Sequence, residues 1–527
     1  MNSLKEVLKS TALRQAMHII QSLAAISLAS ICLLAITDAE RNPQQTKSET
    51  RAEGAKSPST SGGHMPPTFN QEVAKVVAEI DRMEADTLSQ MDRTSLDRQG
   101  QVHTLGKLLI FDKHLSVNQN EACSFCHTPE TGFTGPVQSL NETTVSYPGS
   151  VRTRFSGRKP QSYMYAPFAP VLHYNELQGD FVGGNFWDMR ASGYRLQNPS
   201  AEQAQGPPTN PVEMGLSDSA CVACRLSKAP YRKLFETVWG VDSFAIQWPP
   251  DVEKVCATPG PPPENDPHPV HLSPAGRARA DRVYDEFGLA VSAYEFSPEV
   301  SPFTSKYDYV QQDKAQFTEQ EKLGYALFRG KARCNECHRD GGPGEEPLFT
   351  DFTASNLGVP KNSGIQLLYE GRPDQRGYSP NPLGSAYVDT GVGSFLRTLQ
   401  SDSGQLNPDS GWIKLASKFD GKFQVPTLRN VDMRPSPDFV KAYMHNGYFK
   451  SLKEVVHFYN TRDVLPKCQP GDPGEKVTCW PEAEDSTNMN KRQLGNLNLS
   501  DQEEVALVAF LKTLTDGYKV TSAPASK

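Results

Sequence analysis

Two five-residue runs, "CSFCH" at 123–127 and "CNECH" at 334–338, constrain this chain more than any other feature. Each sets two thiols three positions apart with an imidazole directly after the second, so one short turn offers three donors to a single bulky group. A third run, "CVACR" at 221–225, keeps the cysteine spacing but carries arginine in the last place. The fold must therefore build two such turns far apart in sequence and find another use for the third. At 527 residues the chain is long enough for two or three domains, each burying its own core.

The chemistry of Cys-x-x-Cys-His is covalent attachment of haem c. Cys123 and Cys126, and likewise Cys334 and Cys337, would add to the porphyrin vinyl groups while His127 and His338 are held under the iron. Zinc is the alternative, but it needs further Cys and His clusters at ligand spacing, which the sequence does not supply. Arg225 stays protonated and offers no lone pair, so "CVACR" is not a haem site. Disulfide chemistry is expected there, with Cys256 as the partner of Cys224, and a redox-active Cys221–Cys224 pair is the sharper alternative. Cys468 and Cys479 bracket a proline-rich loop and are expected to staple it.

Lys5, Lys9 and Arg14 precede the apolar stretch "MHIIQSLAAISLASICLLAI", which contains Cys32. Residues 1–39 read as a signal peptide, with an uncleaved N-terminal membrane anchor as the alternative because the apolar part is long. Either way the body is expected outside the cytoplasm, in the periplasm or at the outer cell surface, where leftover thiols pair. Five cysteines remain outside the signal and the two histidine-bearing runs, an odd number that leaves one thiol unpaired or an intermolecular bridge. Residues 40–67 are polar and rich in Pro, Gly and Ser, a disordered linker by composition. Net charge is −7 without long basic runs, which argues against nucleic acid as a partner.

Helical periodicity begins at "NQEVAKVVAEIDRMEAD", through Val73, Val76, Val77, Ile80 and Met83. Ahead of the second motif, Thr318 and Glu321 spell a capping box, with Leu323, Leu327 and Phe328 expected on one face. Ser500 and Glu503 cap a last helix whose expected stripe is Val505, Val508, Leu511 and Leu514. Strand alternation is scarce. The class is mainly α with long irregular loops, and the repeated order of helix then motif argues for two like domains divided near Pro302.

From Leu105 to Phe510 the chain resembles the bacterial dihaem cytochrome c peroxidase and MauG family, in "LGKLLIFDKHLSVNQNEACSFCHTPETGF", "FWDMRA", "QAQGPPTNPVEMG", "LFRGKARCNECH", "VPTLRNV" and "AYMHNGYFKSLKEVVHFYN". The resemblance implies two cytochrome c-like haem domains: residues 68–301 with a peroxidatic haem on His127, and residues 302–520 with an electron-transfer haem on His338. It puts Gln203 and Glu213 over the first iron, near Pro207, and Trp187 between the haems as a relay. A carboxyl in that place can move a proton between peroxide oxygens, help worth roughly 10²–10⁴ in rate. Tyr459 stands where typical members carry the methionine ligand of the second haem, as tyrosine does in MauG, and Met444 is the competing ligand. A phenolate would favour oxidised iron. Members that need reductive activation block the first haem with a loop histidine, whereas here none follows His127 until His173, implying an iron open at rest. Inter-haem calcium is weakly supported, because Arg158 and Lys159 stand near the place of its asparagine ligand and leave the carbonyls of Val440 and Ala442.

The function so implied is a dihaem c-type peroxidase reducing hydrogen peroxide to water with electrons from a small cytochrome c or cupredoxin. The alternative is a MauG-like oxidase that modifies a residue of a partner protein through a high-valent dihaem state. A second alternative is a multihaem electron carrier without peroxide chemistry.

Overall fold

A computed structural model describes residues 68–91, 96–342, 344–399 and 410–520, which belong to one unit of the chain. The expected signal, anchor and linker, with Cys32, lie outside the described residues.

Periodicity from residue 69 becomes helix α1 (Phe69–Met91), although it buries only Phe69, Ile80 and Thr87. Helix α2 (Arg98–Phe111) starts under an Asp97 cap that accepts from Gly100 N at 2.8 Å, and it delivers the chain to the first motif. Helix α3 (Pro199–Ala204) is capped by Asn198, and α4 (Ala220–Leu226) carries the arginine-bearing run. Helix α5 (Pro274–Glu295), capped by Ser273, packs along α2 and also meets α3 and α4. In the second half the expected capping boxes both form. Thr318 starts α6 (Glu319–Arg329) and Ser500 starts α8 (Asp501–Lys512), with α7 (Leu452–Thr461) packed against α8.

The helix pairs α2–α5 and α6–α8 each pack with a glycine at the point of closest approach. A Cβ on Gly106 would run into Ala290 O and reach 2.7 Å from Tyr294 Cβ; one on Gly324 would run into Ala506 O and reach 2.8 Å from Phe510 Cβ. Backbones this close turn the buried face of α8 onto Ala506, Leu507, Phe510 and Leu511. The predicted stripes are corrected accordingly: Leu323 and Val505, expected inside, are 47% and 46% exposed, while Leu327, Phe328, Leu511 and Leu514 are buried.

Strands are as few as expected among the described residues. β1 (His173–Asn175) pairs antiparallel with β2 (Asp180–Val182), and β3 (Ala354–Ser355) with β4 (Phe423–Gln424). A core around Phe328, Phe349, Phe458, Trp480 and Phe510 backs the second motif, and a smaller cluster joins Phe181 and Met189 to Phe395 and Phe419. No helix among the described residues is long and apolar enough to cross a membrane.

Candidate active site

Both motifs end in the same device. Cys123–Cys126 forms one helical turn, and the loop after it folds back so that Phe133 N donates to Thr128 O at 2.8 Å. Phe133 sits in the left-handed region at φ 53°, which aims its carbonyl at His127 Nδ1, 2.9 Å away. At the second motif Phe349, also at φ 53°, offers its carbonyl to His338 Nδ1 at 3.0 Å. A carbonyl accepts only, so each Nδ1 carries the proton and each Nε2 keeps its lone pair, the tautomer of a metal ligand. Burial reinforces this by disfavouring the charged imidazole, pushing His127 down to about 4 and His338 in the same direction.

Cys123, Cys126, Cys334 and Cys337 are all free and half-buried. They line one continuous cavity of about 650 Å³, together with His127 and His338. Two unpaired thiols and a correctly oriented imidazole opening on the same cavity, twice over, fit covalently attached haem c at each motif.

The residues expected over the first haem converge on this cavity. Glu213, Gln203 and Pro207 all line it. Asn210 Nδ2 donates to Glu213 Oε1 at 2.7 Å, fixing the carboxyl. Burial raises the Glu213 pKa, against the pull of Arg190 and the Asn210 hydrogen bond, so the neutral acid persists to higher pH than in a solvated glutamate. Glu295, which the sequence reading missed, lines the same space; it is hydrogen-bonded to Ser200 and pushed up to about 8 by burial. Glu121, also missed, pairs with Arg152 just ahead of Cys123. A carboxylate two residues before the motif was the signal available for it.

Trp187 lines the cavity too, and its Nε1 donates to Lys159 O at 3.0 Å. The Lys159 amide donates in turn to His445 O at 2.8 Å. His445 was not expected here. Its ring stacks on Phe423 with centroids 3.5 Å apart, and its buried Nε2 has no hydrogen-bond partner. Arg158 holds the segment from the other side through Asp188 at 2.7 Å and Asp389 at 2.6 Å.

Tyr459, on α7, and Met444, at φ 69°, line the cavity with the second motif, so both expected ligand candidates are brought to it. Burial is the first cause raising the Tyr459 phenol, and the neighbouring Cys334 and Cys337 thiols add to it. His173 is not among the residues lining the cavity; it lies exposed on β1 with Nδ1 bonded to Val171 O.

The expected bridges are half right. Cys468 and Cys479 pair, with Cα atoms 5.7 Å apart. Cys256, however, pairs with Cys221 and not with Cys224, which is a free buried thiol. Both cysteines lie on α4 three residues apart, and only the position of the Val252–Cys256 helix decides between them. Arg225 has a structural role. Its guanidinium donates to His114 O at 2.6 Å, Val117 O at 3.2 Å and Cys256 O at 2.8 Å, and also to Ser116 O, tying the strand of chain before the first motif to the disulfide.

Comparison with known proteins agrees with this geometry. A family model described as di-haem cytochrome c peroxidase matches residues 101–316. Methylamine utilization protein MauG of Paracoccus denitrificans is 32% identical over 419 residues, covering 78% of this chain and 88% of that protein. The chain belongs to the di-haem cytochrome c peroxidase and MauG family. Cytochrome-c peroxidase IdrP1 of Denitromonas iodatirespirans is 27% identical over the same length, 78% of this chain and 80% of the relative. The crystal structure of the diheme peroxidase BthA from Burkholderia thailandensis superposes with a TM-score of 0.56 at 25% identity, covering 82% of this chain and 92% of that one. As a member of the family the protein is an oxidoreductase of the cytochrome-c peroxidase type.

Proposed function

We propose that this di-haem family member reduces hydrogen peroxide at a haem held by Cys123, Cys126 and His127, using electrons that enter through a haem held by Cys334, Cys337 and His338. Residues 68–301 and 302–520 would each form a cytochrome c-like domain around one haem. When bound, haem supplies an iron to which peroxide can bind and a conjugated ring that takes up and releases single electrons.

The chain's own residues supply the rest. Glu213 holds a proton in a half-buried carboxyl and delivers it to the departing peroxide oxygen, with Gln203 lining the same cavity. Asn210 keeps that carboxyl in place. Trp187 is held by Lys159 O in the cavity shared by both motifs, where its indole can relay an electron. Peroxide reduction consumes protons and electrons in equal number. A small cytochrome c or cupredoxin would provide the electrons, outside the cytoplasm if residues 1–39 act as the expected export signal. The observation that carries this reading is that both motifs, the half-buried Glu213 and Trp187 line a single cavity.

A second reading, a MauG-like oxidase acting on a residue of a partner protein, is favoured by Tyr459 at the second motif and by His173 lying away from the first. One experiment separates the readings. The oxidised holoenzyme is mixed with stoichiometric peroxide and followed by absorbance, then supplied with reduced cytochrome c. A prompt spectral change followed by rapid cytochrome oxidation supports the peroxidase. A prompt, long-lived change that cytochrome does not discharge supports the oxidase, and no reaction with peroxide in any redox state overturns both.

A further inference from the structure

The seam between the segments that carry the two motifs is tied by lysine side chains. Lys441 Nζ donates to Thr131 O at 2.9 Å, Asn430 O at 3.0 Å and Met433 O at 2.9 Å. Lys159 Nζ donates to Thr134 Oγ1 at 2.7 Å and Pro160 O at 2.9 Å. Lys450 Nζ donates to Asn141 O at 2.6 Å and Gly447 O at 2.8 Å. All these acceptors are neutral oxygens. Lys441 and Lys159 are buried, at 5% and 8% exposure.

Such a set of carbonyls and one hydroxyl is what a hard divalent cation would want, because calcium takes about six to eight oxygen ligands. Here nitrogen protons fill it instead. Three carbonyls around one Nζ use three N–H bonds, which only the ammonium form possesses. Calcium brought into the same seam would meet this charge across a medium of low dielectric.

Two of the ligand positions that the family resemblance assigns to calcium are altered. Lys159 stands near the place of the asparagine ligand. Val440 O is already taken by Asn141 Nδ2 at 3.1 Å. Asn141 Oδ1 is buried without a partner, yet one neutral oxygen is far short of a calcium shell. Among the described residues, no group of three or more His, Cys, Asp or Glu is gathered to hold a metal ion.

We infer that the amino groups of Lys441 and Lys450 bridge the two motif-bearing segments, and that of Lys159 fills the oxygen pocket at Thr134 and Pro160, in place of a divalent cation, so that the holoenzyme takes no structural calcium in this seam. The bridges reach the working parts directly. Thr131 and Thr134 flank Phe133, whose carbonyl orients His127, and the backbone of Lys159 joins Trp187 to His445. Lys159 is thus a positioning residue for both.

The test is metal analysis of the holoenzyme after dialysis against calcium chloride, with thermal unfolding followed in calcium or in EGTA. Substoichiometric calcium and one unchanged midpoint are expected. One calcium per chain, removed by EGTA with a fall in midpoint, overturns the inference. A Lys159→Asn variant, which replaces the amino group by an amide oxygen, should acquire a calcium-dependent rise in midpoint; an equal rise in the unmodified protein counts against it. Neither readout depends on whether peroxide or a partner protein is the substrate.

Discussion

The indole of Trp187 meets the imidazole of His445 edge-on, their ring centroids 6.5 Å apart, and the backbone of Lys159 accepts from the indole and donates to the His445 carbonyl. Trp187→Phe keeps an aromatic ring but leaves Lys159 O without its donor. Stability should fall by about 1 kcal/mol. Turnover with reduced cytochrome c should fall much further, on the order of tenfold or more, equivalent to about 1.4 kcal/mol of barrier. Stopped-flow oxidation of the cytochrome, compared with the rate of the first reaction with peroxide, locates the loss in electron delivery. Equal loss in both steps would assign the indole a packing role.

Glu213 is the proton donor in this scheme, and Glu213→Gln keeps its shape and its contact with Asn210. The reaction with peroxide should slow by roughly 10²–10⁴. Because burial raises the Glu213 pKa, the active protonated form is present at low pH and is lost as pH rises through that value. The alkaline limb of the pH–rate profile should vanish in the variant. Glu295 sets a matching trend in stability: its carboxyl binds a proton more tightly folded, at about 8, than at the ordinary 4.5. Its contribution is full below 4.5 and disappears as pH climbs toward 8, a slope that chemical denaturation at several pH values would read and that Glu295→Gln should flatten.

If Tyr459 is the second ligand of the proposed His338 haem, Tyr459→Met would exchange a phenol oxygen donor for a neutral thioether. Spectroelectrochemical titration should show the potential of that haem rising. An unchanged potential would return the ligand role to Met444.

Cys221→Ser opens a loop closed across 35 positions of sequence. By loop entropy the loss is about 3–4 kcal/mol. Peptide mapping of the intact protein should find residues 221 and 256 linked, with Cys224 alkylated only after unfolding. A 224–256 link would contradict the fold of α4.

The parts of this site that are contiguous in sequence were legible there. Each Cys-x-x-Cys-His run carries its chemistry in five residues, and Thr318 and Ser500 announce their helices because a cap needs only a hydroxyl and a carboxylate three residues on. What could not be read depends on distance through space. Periodicity gives the faces of α6 and α8 but not their rotation, so Leu323 and Val505 were placed inside although glycine contact turns them out. The choice of Cys221 over Cys224 follows from where a later helix docks. Glu295 joins the cavity from the end of α5 and His445 from within the run "AYMHNGYFKSLKEVVHFYN", and spacing alone assigns neither a role there.

Gly106 and Gly324 touch neither motif, yet each is the point at which two backbones meet. A methyl group at either place would wedge a helix pair apart, overpacking that typically costs about 1–3 kcal/mol. Saturation mutagenesis scored on peroxide tolerance should therefore return two matching columns of intolerance, one per half, at residues remote from the reacting groups. The likeness of these two glycine contacts would be visible in a fitness map before any spectrum of the protein was recorded.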